Sequence, residues 1–586
     1  MTSSRTSFEY YDLQEGEARL VDIAPGKYSD QIQCTLSHTT FLPDVQYECL
    51  SYVWGPLGQG SAQHSIICDG FSFPVSLNLF SALFCLRYED RPRVMWIDQI
   101  CINQRNLAER TSQVLQMGNI YRSAQQVLLF AGSPGPQMIA AALFINLFGG
   151  TYGAAFFSDR ENFKNVWKKS TVSQLKEHLD VPLPEEETWK CVRHLLNQPC
   201  FRRTWIVQEV ALAQKIRILF SPGIEIDWDE DKASSFTTFF ITVSARNHNS
   251  GTDHGHYIGR EMIYSRALIL ARSQTRTFPE SPSLRLLALL VITRRFEVTD
   301  PRDKIYGILS LATDSAYLDI TPDYIKSIRD VYMNVARRLI QCMKSLDVLK
   351  HVETLKYDDS LPSWVPDWRS IRMELFGDDV ITGTHFYNAT RGMAPQLVEP
   401  TEPSKLGLRG VMLDVITTIT SGPVEDGGQR SDGAVAAGHE LWWIRAKTAI
   451  GPTYKPTGED LSMALGRTRI ADRRDDVQKF GGKKNDPIEV EEDEVRYYYF
   501  RSLGVIIQNQ ILYRNLITTE NGFMGLVPLT AQEGDIIYLV PGCDTPLTLR
   551  RLNNNEFHFV GQCYVHGIMY GEAFPDDVSL EDIVLV

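Results

Sequence analysis

Short apolar runs alternate with amphipathic stretches over the first 220 residues of this chain, and that alternation restricts the fold more than any other feature. Tyr47–Gly55 reads as a strand ending in a Gly/Pro turn, Val94–Asp98 as an apolar strand closed by an acid, and Val127–Gly132 as a third strand. Between them lies helical periodicity: Ser76 caps a stretch from Leu77 to about Tyr88, and Leu107, Val114, Met117 and Tyr121 mark another. A fourth strand, Ile216–Phe220, follows a helix that carries Glu209. The order βαβαβαβ predicts an α/β fold, a parallel sheet flanked by helices with right-handed crossovers. Ligands of such sheets bind beyond the C-terminal strand ends, where Gly55, Asp98 and Gly132 fall. Asp69-Gly70 marks a hairpin within Ile66–Phe73, and Ala18–Ile23 reads as an edge strand.

Glu209 is the acid least expected where it stands. On a helix of about 3.6 residues per turn it falls between Trp205 and Leu212 on one side and Ile206 and Ala213 on the other, in the middle of an apolar face. A carboxylate there needs a partner, a ligand or a raised pKa, and functional sites commonly hold such groups.

At 586 residues the chain exceeds a single core. We expect an α/β domain over residues 1–230 with an insertion at 133–198, a helical extension over 231–372, and a β-rich C-terminal module over 373–586. The Gly-rich and acidic stretch at 421–497 is expected to be a partly disordered insert in that module. A net charge of −13 argues against nucleic acid as a general partner, because no excess of cations is there to displace counterions. The ten cysteines are scattered without a CxxC or Cys/His cluster, and HExxH is absent, so no metal is expected. The polar Met1–Ser7 start and the short apolar stretches predict no membrane partner. Reduced thiols in a cytosolic or nuclear protein follow, with the cytoplasm the expected location.

Three blocks then become recognisable: Leu50-Ser51-Tyr52-Val53-Trp54-Gly55, Trp96-Ile97-Asp98-Gln99-Ile100-Cys101-Ile102-Asn103-Gln104, and Arg203-Thr204-Trp205-Ile206-Val207-Gln208-Glu209. They resemble the signature blocks of the fungal heterokaryon incompatibility (HET) domain. Asp300–Gly307, Leu361–Trp368 and Gly561–Glu572 look like the extension that many such proteins carry. The resemblance implies a fungal protein of non-self recognition and programmed cell-death signalling.

A second resemblance bears on mechanism. The HET domain looks like a relative of Toll/interleukin-receptor (TIR) domains, several of which cleave NAD⁺. The Trp205-x-x-x-Glu209 spacing is similar to the Trp-x-x-x-Glu of plant-type TIR helices, whose glutamate is catalytic. Arg203 stands where those proteins often have Ser, and Ile206 replaces a frequent Cys. The resemblance implies a TIR-like sheet and a latent NAD⁺ glycohydrolase, with Glu209 catalytic and NAD⁺ a substrate rather than a cofactor. Its partners would be other HET-type signalling proteins or further copies of the chain. The rival expectation is a non-enzymatic interaction module, in which Glu209 is a structural ion-pair residue beside Arg202, Arg203 or an arginine elsewhere.

Chemistry assigns each remaining candidate two roles. Cleavage of the nicotinamide–ribose bond passes through an oxocarbenium-like state, which a carboxylate in a water-poor pocket stabilises. Trp205, one turn before Glu209, can stack on a flat ring or serve as core with one edge on the site. Asp98 can bind a ribose hydroxyl or cap the next helix. Ser51, Trp54 and Gly55 form a loop able to approach phosphates, although no GxGxxG pattern accompanies them. Asn103 and Gln104 are expected to order their turn, and His566 and Glu572 to act in turns rather than as an acid–base pair.

Overall fold

The computed structural model describes residues 7–40, 45–55, 64–132, 135–142, 145, 187–221, 224–228, 254–352, 360–370, 387–400, 402–420, 444, 447–448, 450–469, 471–472, 514–574 and 579–586. Two compact units divide the chain: Met1–Ser315 with Ile320–Ile325, and Ala316–Asp319 with Lys326–Val586.

In the first unit the described residues form nine strands: β1 (Glu17–Ile23), β2 (Gln33–Thr40), β3 (Glu48–Ser51), β4 (His64–Cys68), β5 (Phe71–Val75), β6 (Arg93–Trp96), β7 (Val127–Phe130), β8 (Ile216–Ser221) and β9 (Ile224–Asp227). They make one sheet in the order β5-β4-β2-β1-β6-β3-β7-β8-β9. Its centre, β6-β3-β7-β8, is parallel throughout. All four residues of β3 and of β7 are buried, as suits strands covered on both faces. Read along the chain, that parallel core runs 2-1-3-4, and its order reverses between β3 and β7, where open α/β sheets bind ligands.

The expected all-parallel sheet needs correction at its margins. β9 pairs antiparallel with β8, and β1 pairs antiparallel with both β2 and β6. β1 is therefore no edge strand. Ala18, Leu20, Val21 and Ile23 are buried on both of its faces, and both of its backbone edges are paired. The hairpin β4–β5 lies at the margin instead. Asp69 and Gly70 at its tip have φ of +48° and +82°, the mirror-image turn that suits strand twist.

Three helices matter to the site: α1 (Leu77–Leu86), α2 (Asp98–Cys101) and α3 (Leu107–Ser123). Ser76 caps α1, its hydroxyl accepting from the Leu79 N–H. Residues 146–186 of the 133–198 insertion, and 229–253 around the start of the 231–372 extension, lie outside the described residues. The helices Ile206–Leu212, His254–Thr277, Leu286–Ile292 and Asp303–Leu309 follow.

The second unit is β-rich: β10 (Leu397–Val398), β11 (Leu406–Ile419), β12 (Thr453–Tyr454), β13 (Glu459–Asp460), β14 (Arg514–Thr519), β15 (Met524–Pro528), β16 (Ile536–Leu539), β17 (Leu547–Arg551), β18 (Glu556–Gln562), β19 (Tyr564–Val565) and β20 (Glu581–Leu585). Pairings β11–β16, β16–β17, β17–β18, β18–β20 and β20–β11 close a ring. Closure removes the free edges on which sheets aggregate. The other pairings of the ring are antiparallel, and β18–β20 is parallel. Within the 421–497 insert, residues 421–443 and 473–497 lie outside the described residues. Its described part packs Tyr454, Leu461, Ala464 and Leu465 into a core with Leu516 and Leu526.

Candidate functional site

The helix Ile206–Leu212 is buried along its whole length. Its last carbonyls are met by a buried guanidinium, because Arg272 donates to Val210 O at 2.8 Å and to Ala213 O at 2.6 Å. Positive charge at a helix C-terminus also favours the backbone dipoles. On this fixed support Glu209 is only 2% exposed.

Glu209 meets the first block directly, where the Ser51 hydroxyl, at the C-terminal end of β3, donates to its Oε2. Arg203 Nη2 lies 3.9 Å from the other oxygen, Oε1. The same guanidinium donates from Nη1 to Tyr52 O, which adds a second tie between the third block and the first beside Ser51–Glu209. Burial raises the Glu209 pKa, and Arg203 and the Ser51 hydrogen bond offset that only in part.

The second block joins through Asp98, the first residue of α2. Its Oδ2 accepts the Trp54 indole N–H at 2.7 Å and its Oδ1 the Gln99 N–H at 2.7 Å. Asp98 is half-buried, and burial raises its pKa despite the opposing pull of Arg203 and the Trp54 bond. Arg203 responds in kind: burial alone would lower its pKa, but Glu209 and Asp98 raise it. One guanidinium thus serves two carboxylates.

Further bonds hold the loop after β3. Tyr52 OH donates to Gln99 Oε1 at 3.2 Å, and the same oxygen lies 3.2 Å from the Ser76 hydroxyl. Asn78 Nδ2 donates to Val53 O at 2.9 Å. Gly55 has φ +74°, and a Cβ there would lie 3.1 Å from Asn78 Nδ2, so the turn suits glycine. Gln104 Nε2 donates to Asp98 O at 2.9 Å, and the Asn103 N–H donates to Glu109 Oε1 at 2.7 Å.

The structure therefore brings Ser51, Trp54, Asp98 and Glu209 into one hydrogen-bonded and ion-paired network, with Gly55 at its rim. Trp205 is committed elsewhere. Its indole N–H donates to Asp303 Oδ2 at 3.1 Å. Sequence reasoning named Arg203 as an ion-pair partner and as a departure from the TIR pattern. It missed the tie to Tyr52 O, gave Tyr52 and Gln99 no role beyond their place in the blocks, and missed Asn78. Asp98 is the first residue of α2 rather than its N-cap, which is Ile97, and its side chain accepts only the adjacent Gln99 N–H there. Asn103 and Gln104 order their turn. His566 is 1% exposed, with Nε2 2.8 Å from Glu459 Oε2 and Nδ1 2.9 Å from Tyr564 OH. Glu572 accepts the Tyr570 N–H at 2.7 Å, which is a turn bond. Among the described residues no group of three or more His, Cys, Asp or Glu is arranged to hold a metal ion, and no helix is long and apolar enough to cross a membrane.

Comparison with known proteins matches this geometry to a family. The family model for heterokaryon incompatibility protein (HET) covers residues 47–209, the stretch that contains all three blocks of the network. A model for the Het-6 beta-barrel domain covers residues 470–586. The chain is 27% identical to heterokaryon incompatibility protein 6, OR allele, of Neurospora crassa, over 97% of this chain and 96% of that protein. No solved structure matches. The HET match thus spans the three blocks, and their side chains form one largely buried polar network.

Proposed function

We propose that this protein acts in heterokaryon incompatibility, as a cytoplasmic non-self recognition and cell-death signalling protein. The HET match and the end-to-end likeness to the Neurospora protein support that reading. We further propose that, in the resting chain, the network works as the scaffold of an interaction module. Its partners would be other HET-type signalling proteins or further copies of the chain. One observation carries this: Glu209 is 2% exposed and engaged by both Ser51 and Arg203, which leaves its carboxylate little room to meet a substrate.

A second reading keeps the enzyme in view, and a specific arrangement favours it. The 2-1-3-4 parallel core supports a TIR-like fold, and the network stands at its switch point. Two carboxylates of raised pKa converge there, beside the half-buried Trp54 and Gly55. A latent NAD⁺ glycohydrolase would need Arg203 to release Glu209, which could then stabilise an oxocarbenium-like state.

One assay separates the readings. Purified full-length protein is incubated with NAD⁺ and free nicotinamide is measured, alongside Glu209→Gln. The scaffold reading predicts no turnover by either protein. Turnover by the parent chain that falls about 10²–10³-fold in Glu209→Gln would establish the enzyme instead.

A further inference from the structure

The Asp300-Pro301-Arg302-Asp303-Lys304 motif lies well beyond the HET match, yet it grips the third block. Glu297 N–H donates to Arg202 O at 2.5 Å, and Thr204 N–H donates to Glu297 O at 2.9 Å. This forms a short parallel bridge alongside Arg203. Gly307 then packs so closely that a Cβ would lie 3.1 Å from Thr204 Cγ2. Ser310 adds a hydroxyl that donates to Gln208 Oε1 at 2.5 Å.

Asp303 is the centre of this grip and is 6% exposed. Its Oδ2 takes the Trp205 indole N–H at 3.1 Å, and its Oδ1 takes the Tyr324 hydroxyl at 2.7 Å. Tyr324 is held in turn. Its ring lies under the Arg110 guanidinium at 4.0 Å and packs edge-on against Tyr306 at 5.4 Å. Tyr324 stands two residues before Lys326, where the chain leaves the first unit for the last time. Both oxygens of one buried carboxylate are thus occupied by neutral donors, one on the Glu209 block and one on the connector. Burial raises the Asp303 pKa, and the Tyr324 and Trp205 bonds pull it back only in part.

We propose that Trp205, Asp303 and Tyr324 form a relay that couples the connector into the second unit to the Glu209 block, with Asp303 as its positioning residue. The inference rests on the reading of that block as the working part of the first unit. A buried carboxylate that loses one of its two donors carries an unmet desolvation cost, which it relieves by turning toward water and away from Trp205. Displacing the Tyr324 connector would therefore release Trp205, and with it the start of the helix that holds Glu209. The HET match ends at residue 209, but the element that fixes Glu209 extends to Tyr324.

Hydrogen exchange measured by mass spectrometry on the full chain tests the relay without reference to activity. Tyr324→Phe removes one hydroxyl and keeps the ring, and it should raise amide exchange across residues 203–212 about tenfold. Asp303→Ala should do the same, and Tyr324→Phe should add nothing in that background. Should Tyr324→Phe fail to fold, Trp205→Phe carries the test through faster exchange at residues 320–326. Exchange that rises only near residue 324, or additive effects in the double variant, would overturn the relay. If exchange responds as expected while the incompatibility response of fungal cells stays unchanged, the relay stands and the role given to the Glu209 block fails.

Discussion

Both units of this protein bury charge, but they treat it differently. In the second unit burial pushes Glu459 up, yet hydrogen bonds from Thr457, His566 and Arg467 outweigh it and hold its pKa at about 2. Arg467 also takes Asp472 through two bonds of 2.8 and 2.7 Å. In the first unit Glu209 and Asp98 share one guanidinium, which stands 3.9 Å from Glu209, and both pKa values end above their ordinary range. A depressed carboxylate is a satisfied structural partner. A raised one has been desolvated without full compensation, and such groups concentrate where proteins do something besides fold. The contrast sets Glu209 and Asp98 apart from Glu459, although burial also lowers the His566 pKa beside Glu459.

The largest effect expected from this contrast belongs to Arg203. Arg203→Ala strands two desolvated carboxylates, and it should cost the first unit about 3–5 kcal/mol in denaturant unfolding. A loss within about 0.5 kcal/mol, the range of ordinary surface changes, would place Arg203 outside the network's energetics.

Acidification should then act on the two units with opposite sign and in successive windows, on Glu209 above about 4.5 and on Glu459 below it. Glu459 has a depressed folded pKa, so its contribution is intact above about 4.5 and is lost as pH falls through about 2. Glu209 has a raised folded pKa, so its ionised form disfavours folding. Stability in the first unit should therefore rise as pH falls from that raised value toward about 4.5. Calorimetry across this range, with exchange assigning each transition to its unit, checks both signs. Parallel loss of stability in the two units would erase the distinction.

Local features of both units were legible in the sequence, and long-range ones were not. Asp69-Gly70, the Ser76 cap, the strands around Val127 and Ile536, and the buried face of Glu209 all follow from turn chemistry or from a period of two or 3.6 residues. No such period reports that Ser51 meets Glu209 across 158 residues, that Trp205 meets Asp303 across 98, or that His566 meets Glu459 across 107. β1 misled for a related reason. Ala18–Ile23 read as an edge strand, but Arg19 within it is 1% exposed and paired with Glu109, 90 residues on. Ring closure by β11 was equally invisible, since its partners β16 and β20 lie more than 100 residues on. β11 also ends before the Het-6 beta-barrel match begins at residue 470, so the closed ring extends beyond the matched range.

The smallest expected effect is also the most diagnostic. Glu209→Gln keeps an acceptor for the Ser51 hydroxyl and removes a charge the fold holds at a cost, while Asp98 and Tyr52 O remain near Arg203. It should therefore change stability by less than about 1 kcal/mol. The account's central claim is that one guanidinium balances two carboxylates, the buried Glu209 and the half-buried Asp98, and a double-mutant cycle between Arg203 and Glu209 tests it most directly. In Arg203→Ala, adding Glu209→Gln removes one of the stranded charges and should restore at least about 1 kcal/mol of the lost stability. If the two substitutions instead add, with Glu209→Gln as costly in the Arg203→Ala background as alone, Arg203 and Glu209 are not coupled and the shared-charge network is wrong.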